Sequence, residues 1–303
     1  MKTCSLSFAA LFAACLSAEA VVVTSGGPNN TAPGGQPFFN NVGSIGSASA
    51  IYLRDGWVLS ANHVADVLPA AVNFGGVNYA TLAGSFHRLE NPTYTRPLTS
   101  LTDIVVFRLS SLLDLPGVDI STATPAVGSQ VMMIGNGRTQ AGPLTFWNRN
   151  VITGPGNDTW DVTSLAQANA AGYQTTGTHE VRWGENLVNA GNFAVSAGHG
   201  DVISYSTQFN FTGLTHEAQA VSGDSGGAVF SYNGSSWELS GMMHAVGFFE
   251  NQPGGTDTAV FGMETAIADF SAYRSQIIAI VPEPSHAVPL GILGSLVLLF
   301  RRR

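Results

Sequence analysis

Cysteine is almost missing from this 303-residue chain: Cys4 and Cys15 are the only two, both near the start. Beyond them no disulfide, thiolate metal site or thiol nucleophile is available. Lysine is scarcer still, with Lys2 alone, and the remaining basic residues are eleven arginines. Charged residues make up 11% of the chain, and the formal net charge is −8. A protein that neutralises phosphates needs a basic face. This chain has none, which argues against nucleic-acid binding. Its 35 glycines follow no three-residue period, so collagen is excluded. No internal repeat is present. Low charge and a mean hydropathy of +0.17 exclude disorder of the whole chain. A chain of this size can bury one large core or two smaller ones.

The two ends read as processing segments. Lys2, an apolar stretch over residues 6–16 and the small-x-small triplet Ala18-Glu19-Ala20 make residues 1–20 a secretory signal peptide. The mature chain is then expected to begin at Val21. An ordinary N-terminal helix fits less well, because no polar face accompanies the apolar run. Cys15 has only a faint likeness to a lipoprotein acylation site. At the other end, Pro282-Glu283-Pro284 precedes an apolar run over residues 287–300 and then Arg301-Arg302-Arg303. Fourteen helical residues reach about 21 Å, short of the roughly 30 Å hydrocarbon core. Residues 281–303 resemble the PEP-CTERM sorting signal of Gram-negative bacteria. The resemblance implies export, a transient inner-membrane contact, an exosortase-type sorting enzyme as partner, and release or attachment at the cell surface. The bland alternative is a permanent C-terminal anchor. Between these ends, eight arginines face eighteen carboxylates, so the core carries about −10.

The core reads as a β protein. Short apolar runs such as Trp57-Val58-Leu59-Ser60, Ile104-Val105-Val106-Phe107 and Gly227-Ala228-Val229-Phe230 alternate with Gly, Pro, Asn and Asp clusters. Many short strands with such punctuation indicate a sandwich or barrel. Arg54-Asp55-Gly56 and Asn233-Gly234 predict hairpin turns. One helix is predicted, from Glu264 to Ile280, with Ile267, Phe270, Ile277 and Ile278 at roughly helical spacing. Residues 135–199, rich in Gly, Asn and Thr, are expected to form long loops. A soft boundary between two barrels is expected near residues 121–127.

Chemistry concentrates in three segments. Val221-Ser222-Gly223-Asp224-Ser225-Gly226-Gly227 sets a serine among glycines. A serine hydroxyl needs a base to remove its proton and donors to stabilise the oxyanion. Glycines let the backbone turn sharply and point its N–H groups inward. The amides of Gly223 and Ser225 are the candidate donors. Ala61-Asn62-His63-Val64 places a histidine just after a strand. Thr102-Asp103-Ile104 places an aspartate at the head of another. A buried aspartate needs a partner, and the imidazole of His63 is a suitable one.

Together these segments resemble the chymotrypsin-like (trypsin-fold) serine proteases, in that family's order His, Asp, Ser. The resemblance extends weakly over residues 21–280. It implies an all-β fold of two six-stranded antiparallel β-barrels, roughly residues 21–125 and 126–262, and a C-terminal α-helix over 263–280. It also implies acyl transfer on protein or peptide substrates without a cofactor or metal. Ser225 would be the nucleophile, His63 the general base, and Asp103 the group that orients it. Gly223-x-Ser225-x-Gly227 also meets the α/β-hydrolase nucleophile pattern, but that fold orders its triad Ser, acid, His. His179-Glu180 and His216-Glu217 lack the second histidine of a zinc-protease helix.

The match departs in places. Val64 stands where the family often has cysteine. Six residues before the nucleophile, where trypsins carry a pocket aspartate, this chain has Gln219. A neutral amide does not pair with Lys or Arg, so trypsin-like specificity is not expected. His244-Ala245-Val246 replaces a frequent Ser-Trp-Gly, and its backbone is expected to pair with substrate. His244 and Val246 are candidate pocket residues, although a structural role for His244 is equally open. Asp224 matches the aspartate that pairs with a freshly cut N-terminal amine in much of the family. Signal cleavage would supply that amine at Val21. The competing function is a catalytically weak homologue acting as a surface or matrix binding protein. An esterase on the same scaffold is a third.

Overall fold

The computed structural model describes residues 21–281, apart from 28 and 155. The signal-peptide expectation and the sorting-signal tail from residue 282 onward lie outside the described residues. Strand β1 (Val22–Val23) opens the chain. The first half then builds β2 (Val42–Ile45), β3 (Ala48–Tyr52), β4 (Trp57–Ala61), β5 (Ala71–Phe74), β6 (Val77–Ala80), β7 (His87–Glu90) and β8 (Leu101–Arg108). These pair in the order β6-β5-β2-β3-β4-β8-β7. Seven strands stand where six were expected, and the reason is a break in one of them. The chain leaves β6, and Thr81 bridges Leu109 just past β8. Leu82 N–H donates to Arg108 O at 2.7 Å and Ser110 N–H to Ala80 O at 2.8 Å. So β6 and β7 act as one interrupted strand that brings the ends of the sheet together.

The second half contributes β9 (Gln130–Gly135), β10 (Arg138–Gln140), β11 (Thr145–Asn150), β12 (Thr159–Val162), β13 (Ala170–His179) and β14 (Arg182–Ser196). It continues with β15 (Asp201–Gln208), β16 (Ala218–Gln219), β17 (Ala228–Tyr232), β18 (Trp237–Gly247), β19 (Thr258–Val260) and β20 (Glu264–Asp269). A closed six-stranded barrel runs β14-β15-β20-β18-β17-β9. The expectation of long loops over residues 135–199 is corrected: this stretch holds β10 to β14. Strands β10 to β13 form a side sheet with β19. Their Thr, Asn and Gln residues hide the usual apolar alternation, and mostly exposed β12 is held by pairing instead. Trp147, fully buried with Val260 and Met263, anchors the sheet.

The most apolar strands are buried on both faces. In β8, Val105 and Phe107 pack inside the first barrel, while Ile104 and Val106 join a core between the barrels. In β9, Val131 and Met133 fill the second barrel, and Met132 and Ile134 meet that same intervening core. Side chains alternate across a strand, so two buried faces read as one continuous apolar run. Both predicted hairpin turns form: Asp55 and Gly56 take positive φ, as does Gly234.

The single α-helix among the described residues, α1, spans Phe270–Ile280, so the expected helix starts six residues late. Residues 264–269 close the barrel as β20, between β15 and β18. Ile267 points into the barrel and Phe270 into the inter-barrel core, so their three-residue spacing straddles a strand and a helix. Asp269 marks the switch: its Oδ1 accepts the Ser271 N–H at 3.0 Å, and its Oδ2 accepts the Thr124 hydroxyl. Such a cap contributes about 1 kcal/mol. Asp269→Ala is therefore expected to lower the unfolding free energy by about 1–2 kcal/mol, and Asp269→Asn by less. Urea denaturation of the two variants beside the wild type checks this.

Candidate active site

Antiparallel pairing of β4 with β8 sets Ala61 opposite Ile104. One step further on, Asn62 N–H donates to Asp103 O at 3.1 Å. The chain then turns, and the Asp103 carboxylate receives His63 twice. Backbone N–H donates to Oδ1 at 2.8 Å, and ring Nδ1 lies 2.6 Å from Oδ2. A carboxylate only accepts, so Nδ1 carries the proton and Nε2 is the free ring nitrogen. The Asp103 side chain is 1% exposed and that of His63 21%.

Ser225 sits on the turn before β17 and lines the same cleft as His63. No hydrogen bond joins its hydroxyl to the imidazole among the described residues; such bonds are often long before substrate binds. The turn is tightly wired. Asp224 N–H donates to Val221 O, Gly227 N–H to Asp224 O, and Gly226 N–H to Met243 O. The amides of Gly223 and Ser225 have no acceptor among the described residues. Gly223 takes φ +98° and Gly226 φ +86°, conformations that favour glycine.

Ser49, which no motif in the sequence marks, braces this turn from the first barrel. Its N–H donates to Ser225 O at 2.9 Å, its hydroxyl donates to Gly223 O at 2.9 Å, and it accepts Asn136 N–H at 2.8 Å. Another unpredicted residue is His199, in the turn between β14 and β15. Its ring lies 5.0 Å from that of His63, centroid to centroid. A Gly-His-Gly inside an expected loop gives no hint of this position.

Asp224 is fully buried behind the turn. A Cβ on Gly135 or Gly137 would overlap its carboxylate, so glycine at both positions makes the room. Oδ2 accepts Val221 N–H at 2.8 Å, and the amides of Gly137 and Val21 also point at the group. Burial outweighs these donors and pushes the carboxyl up to about 7. Val21 itself is fully buried, and β1 pairs Val22 with Gln219.

That pairing corrects the assignment of Gln219 to the substrate pocket. Ala218 of β16 and Ala220 just after it pack against the second-barrel core, and Gln219 between them points the other way. Gln219 is fully buried, and its amide donates to Ala220 O at 3.0 Å. Ala220 and Val221 line the cleft in its place. Val246 and His244 do line it. His244 is 3% exposed, with Nε2 3.0 Å from Ser204 Oγ. Burial pushes its imidazole down to about 4, opposed by the nearby Asp103 charge and reinforced by His63.

A family model described as trypsin matches residues 25–267. The chain belongs to the trypsin family. It therefore has a trypsin-like serine protease fold and is classed with hydrolases that act on proteins or peptides. Solved structures resemble it at low identity. Neuropsin, a serine protease expressed in the limbic system of mouse brain, is 14% identical with a TM-score of 0.48, covering 84% of this chain and 98% of its own. The inactive form of the Rv3671c protease of M. tuberculosis H37Rv is 12% identical, TM-score 0.45, covering 80% and 90%. The NS6 protease from murine norovirus 1 is 13% identical, TM-score 0.40, covering 79% and 93%. No curated protein matches the chain.

Within this trypsin-family chain, His244 generates a pH prediction. Its folded-state value lies below the ordinary 6.5, so the unfolded chain binds a proton that the folded one refuses. That contribution to stability is present above pH 6.5 and is lost as the pH falls toward about 4. Urea midpoints of the wild type and His244→Gln across this range are expected to diverge, with the wild type losing more on the acid side.

Proposed function

We propose that the protein is an exported serine endopeptidase working through His63, Asp103 and Ser225. One observation carries the reading: a buried carboxylate holds His63 by two N–H groups, in the cleft that Ser225 also lines, on a turn whose Gly223 and Ser225 amides are uncommitted. Ser225 Oγ attacks the peptide carbonyl while His63 Nε2 takes its proton. The amides of Gly223 and Ser225 receive the oxyanion. His63 then returns the proton to the leaving amine, and the peptide carbon stays on Ser225 as an ester. Water repeats the sequence and frees the acid. Asp103 keeps the imidazole in the Nδ1–H tautomer and stabilises the imidazolium. Ala220, Val221 and Val246 give the pocket wall no carboxylate to meet Lys or Arg, which supports specificity other than that of trypsin. Export, sorting through an exosortase-type enzyme and transient inner-membrane contact rest on the sequence of the two ends.

Ser225→Ala is expected to abolish both peptide hydrolysis and labelling by a fluorophosphonate probe. Asp103→Asn is expected to lower kcat by about a thousandfold or more, with little change in KM. A folded wild type that takes no label would favour the binding-protein reading instead.

Signal removal also supplies the activating group in this reading. Cleavage before Val21 turns an amide already directed at Asp224 into an ammonium, and a buried carboxylate with a raised value is short of such a partner. In the uncut chain Val21 holds φ +22°, costly for a β-branched residue, and cleavage removes the carbonyl that defines this angle. A form with several residues added before Val21 is expected to lose at least about tenfold in kcat/KM, a threshold equal to roughly 1.4 kcal/mol. It is also expected to lose stability as the pH rises from about 4 to about 7, where the folded state must release a proton from Asp224. The form beginning at Val21 is expected to lose less. Full activity of the extended form would exclude the pairing.

A further inference from the structure

The β14–β15 hairpin belongs to the second barrel, yet its turn is docked on the first. Arg88 donates from Nη2 to His199 O at 2.6 Å and from Nε to Thr102 O at 2.7 Å. Asp201 Oδ2 accepts Thr99 N–H at 2.9 Å, and Asp201 N–H donates to Thr99 Oγ1 at 2.7 Å. Asn91 Nδ2 donates to Asp201 O at 2.8 Å. Gly198 and Gly200 flank His199 with φ of +86° and +110°, and a Cβ at Gly200 would crowd Leu101 O. The His199 ring is solvent-exposed, but the backbone that carries it is fixed from both sides.

That ring lies 5.0 Å from the His63 ring, with 32° between the planes. A side chain sandwiched between two rings needs roughly 7 Å, twice an ordinary carbon contact. The face of His63 turned toward His199 is thus closed to substrate. The adjacent imidazoles of His63 and His199 make one wall of the cleft, which Ala197, Val221, Val246 and Phe248 also line.

We infer that His199 is a specificity-determining residue, and that it restricts the substrate residue just before the cleaved one to Gly, Ala or Ser. This deepens the peptidase reading above and rests on it. A substrate strand laid along residues 244–247 points successive side chains in opposite directions. If the residue whose carbonyl is attacked enters the recess beside Val221, the preceding one points to the imidazole wall. His199 fills the space that residue would use.

The test uses the mature enzyme and paired peptides that differ only at that residue, Gly against Leu or Phe. The wild type is expected to favour Gly by at least about tenfold in kcat/KM. His199→Ala is expected to raise hydrolysis of the bulky peptides by about tenfold, with little change for the Gly peptide. His199→Leu, which refills the space without an imidazole, is expected to keep the wild-type preference. A Ser225-dependent wild type that cleaves both peptides equally would overturn the inference, as would an unchanged preference in His199→Ala. Loss of preference in His199→Leu would overturn its steric basis. Hydrolysis that survives Ser225→Ala would instead overturn the catalytic reading itself.

Discussion

A carboxylate with almost no access to water has to be satisfied by donors, and Asp103 is that carboxylate. It accepts the backbone N–H and the ring N–H of His63, and both come from a single residue at the end of β4. This two-point hold is available only because β4 and β8 are antiparallel neighbours in a register that brings residue 62 beside residue 103. Unpaired burial of such a charge costs several kcal/mol, far more than a surface ion pair returns. The pairing therefore selects the register of two central strands, and with it the first barrel, as much as it orients a base.

The second barrel presents the nucleophile across a shared core rather than across a linker. Ile104 and Val106 from one side and Met132 and Ile134 from the other fill the same space, with Phe270 and Tyr273 of α1 beside them. Ser49 then crosses the seam and fixes the carbonyls of Gly223 and Ser225. With those carbonyls occupied by Ser49, the Gly223–Asp224 and Ser225–Gly226 peptide planes are set, and their N–H groups, those of Asp224 and Gly226, are aimed the opposite way at Val221 O and Met243 O. A shift of one barrel against the other would disturb the core and the amide directions together.

The legible parts of the sequence were those where chemistry and backbone demands coincide. Around Ser225, glycine is required at Gly223 and Gly226 by φ, so the turn announces itself. Asp55-Gly56 is legible for the same reason. Strand β8 is legible as a strand because both faces are buried. What failed was whatever depended on distant pairing. Glu264 to Asp269 has a helix-compatible spacing, and only the open position between β15 and β18 makes it a strand. Gln219 faces away from the cleft because β1 pairs with β16, a contact some two hundred residues apart in sequence. The side sheet carries polar residues on exposed faces and so left no periodic signal. His199 reaches His63 through a hairpin whose length and direction are set by its docking on Arg88 and Thr99.

Disulfides are not what holds this turn. Its environment is drawn from Val21, Ser49, Gly135 to Gly137 and Met243, four stretches far apart in the chain. Each supplies a donor, an acceptor or simply a missing Cβ. A covalent staple would tie two of them locally and leave the others free to separate. Burial ties three of the four at once, because Val21, Met243 and the β9 strand leading to Gly135 sit in or against the same barrel interior, while Ser49 is tied by its hydrogen bonds across the seam. The consequence is that the turn cannot loosen alone. Opening it exposes the core of the second barrel, so the geometry around Ser225 is protected by much of that barrel's stability rather than by a local lock.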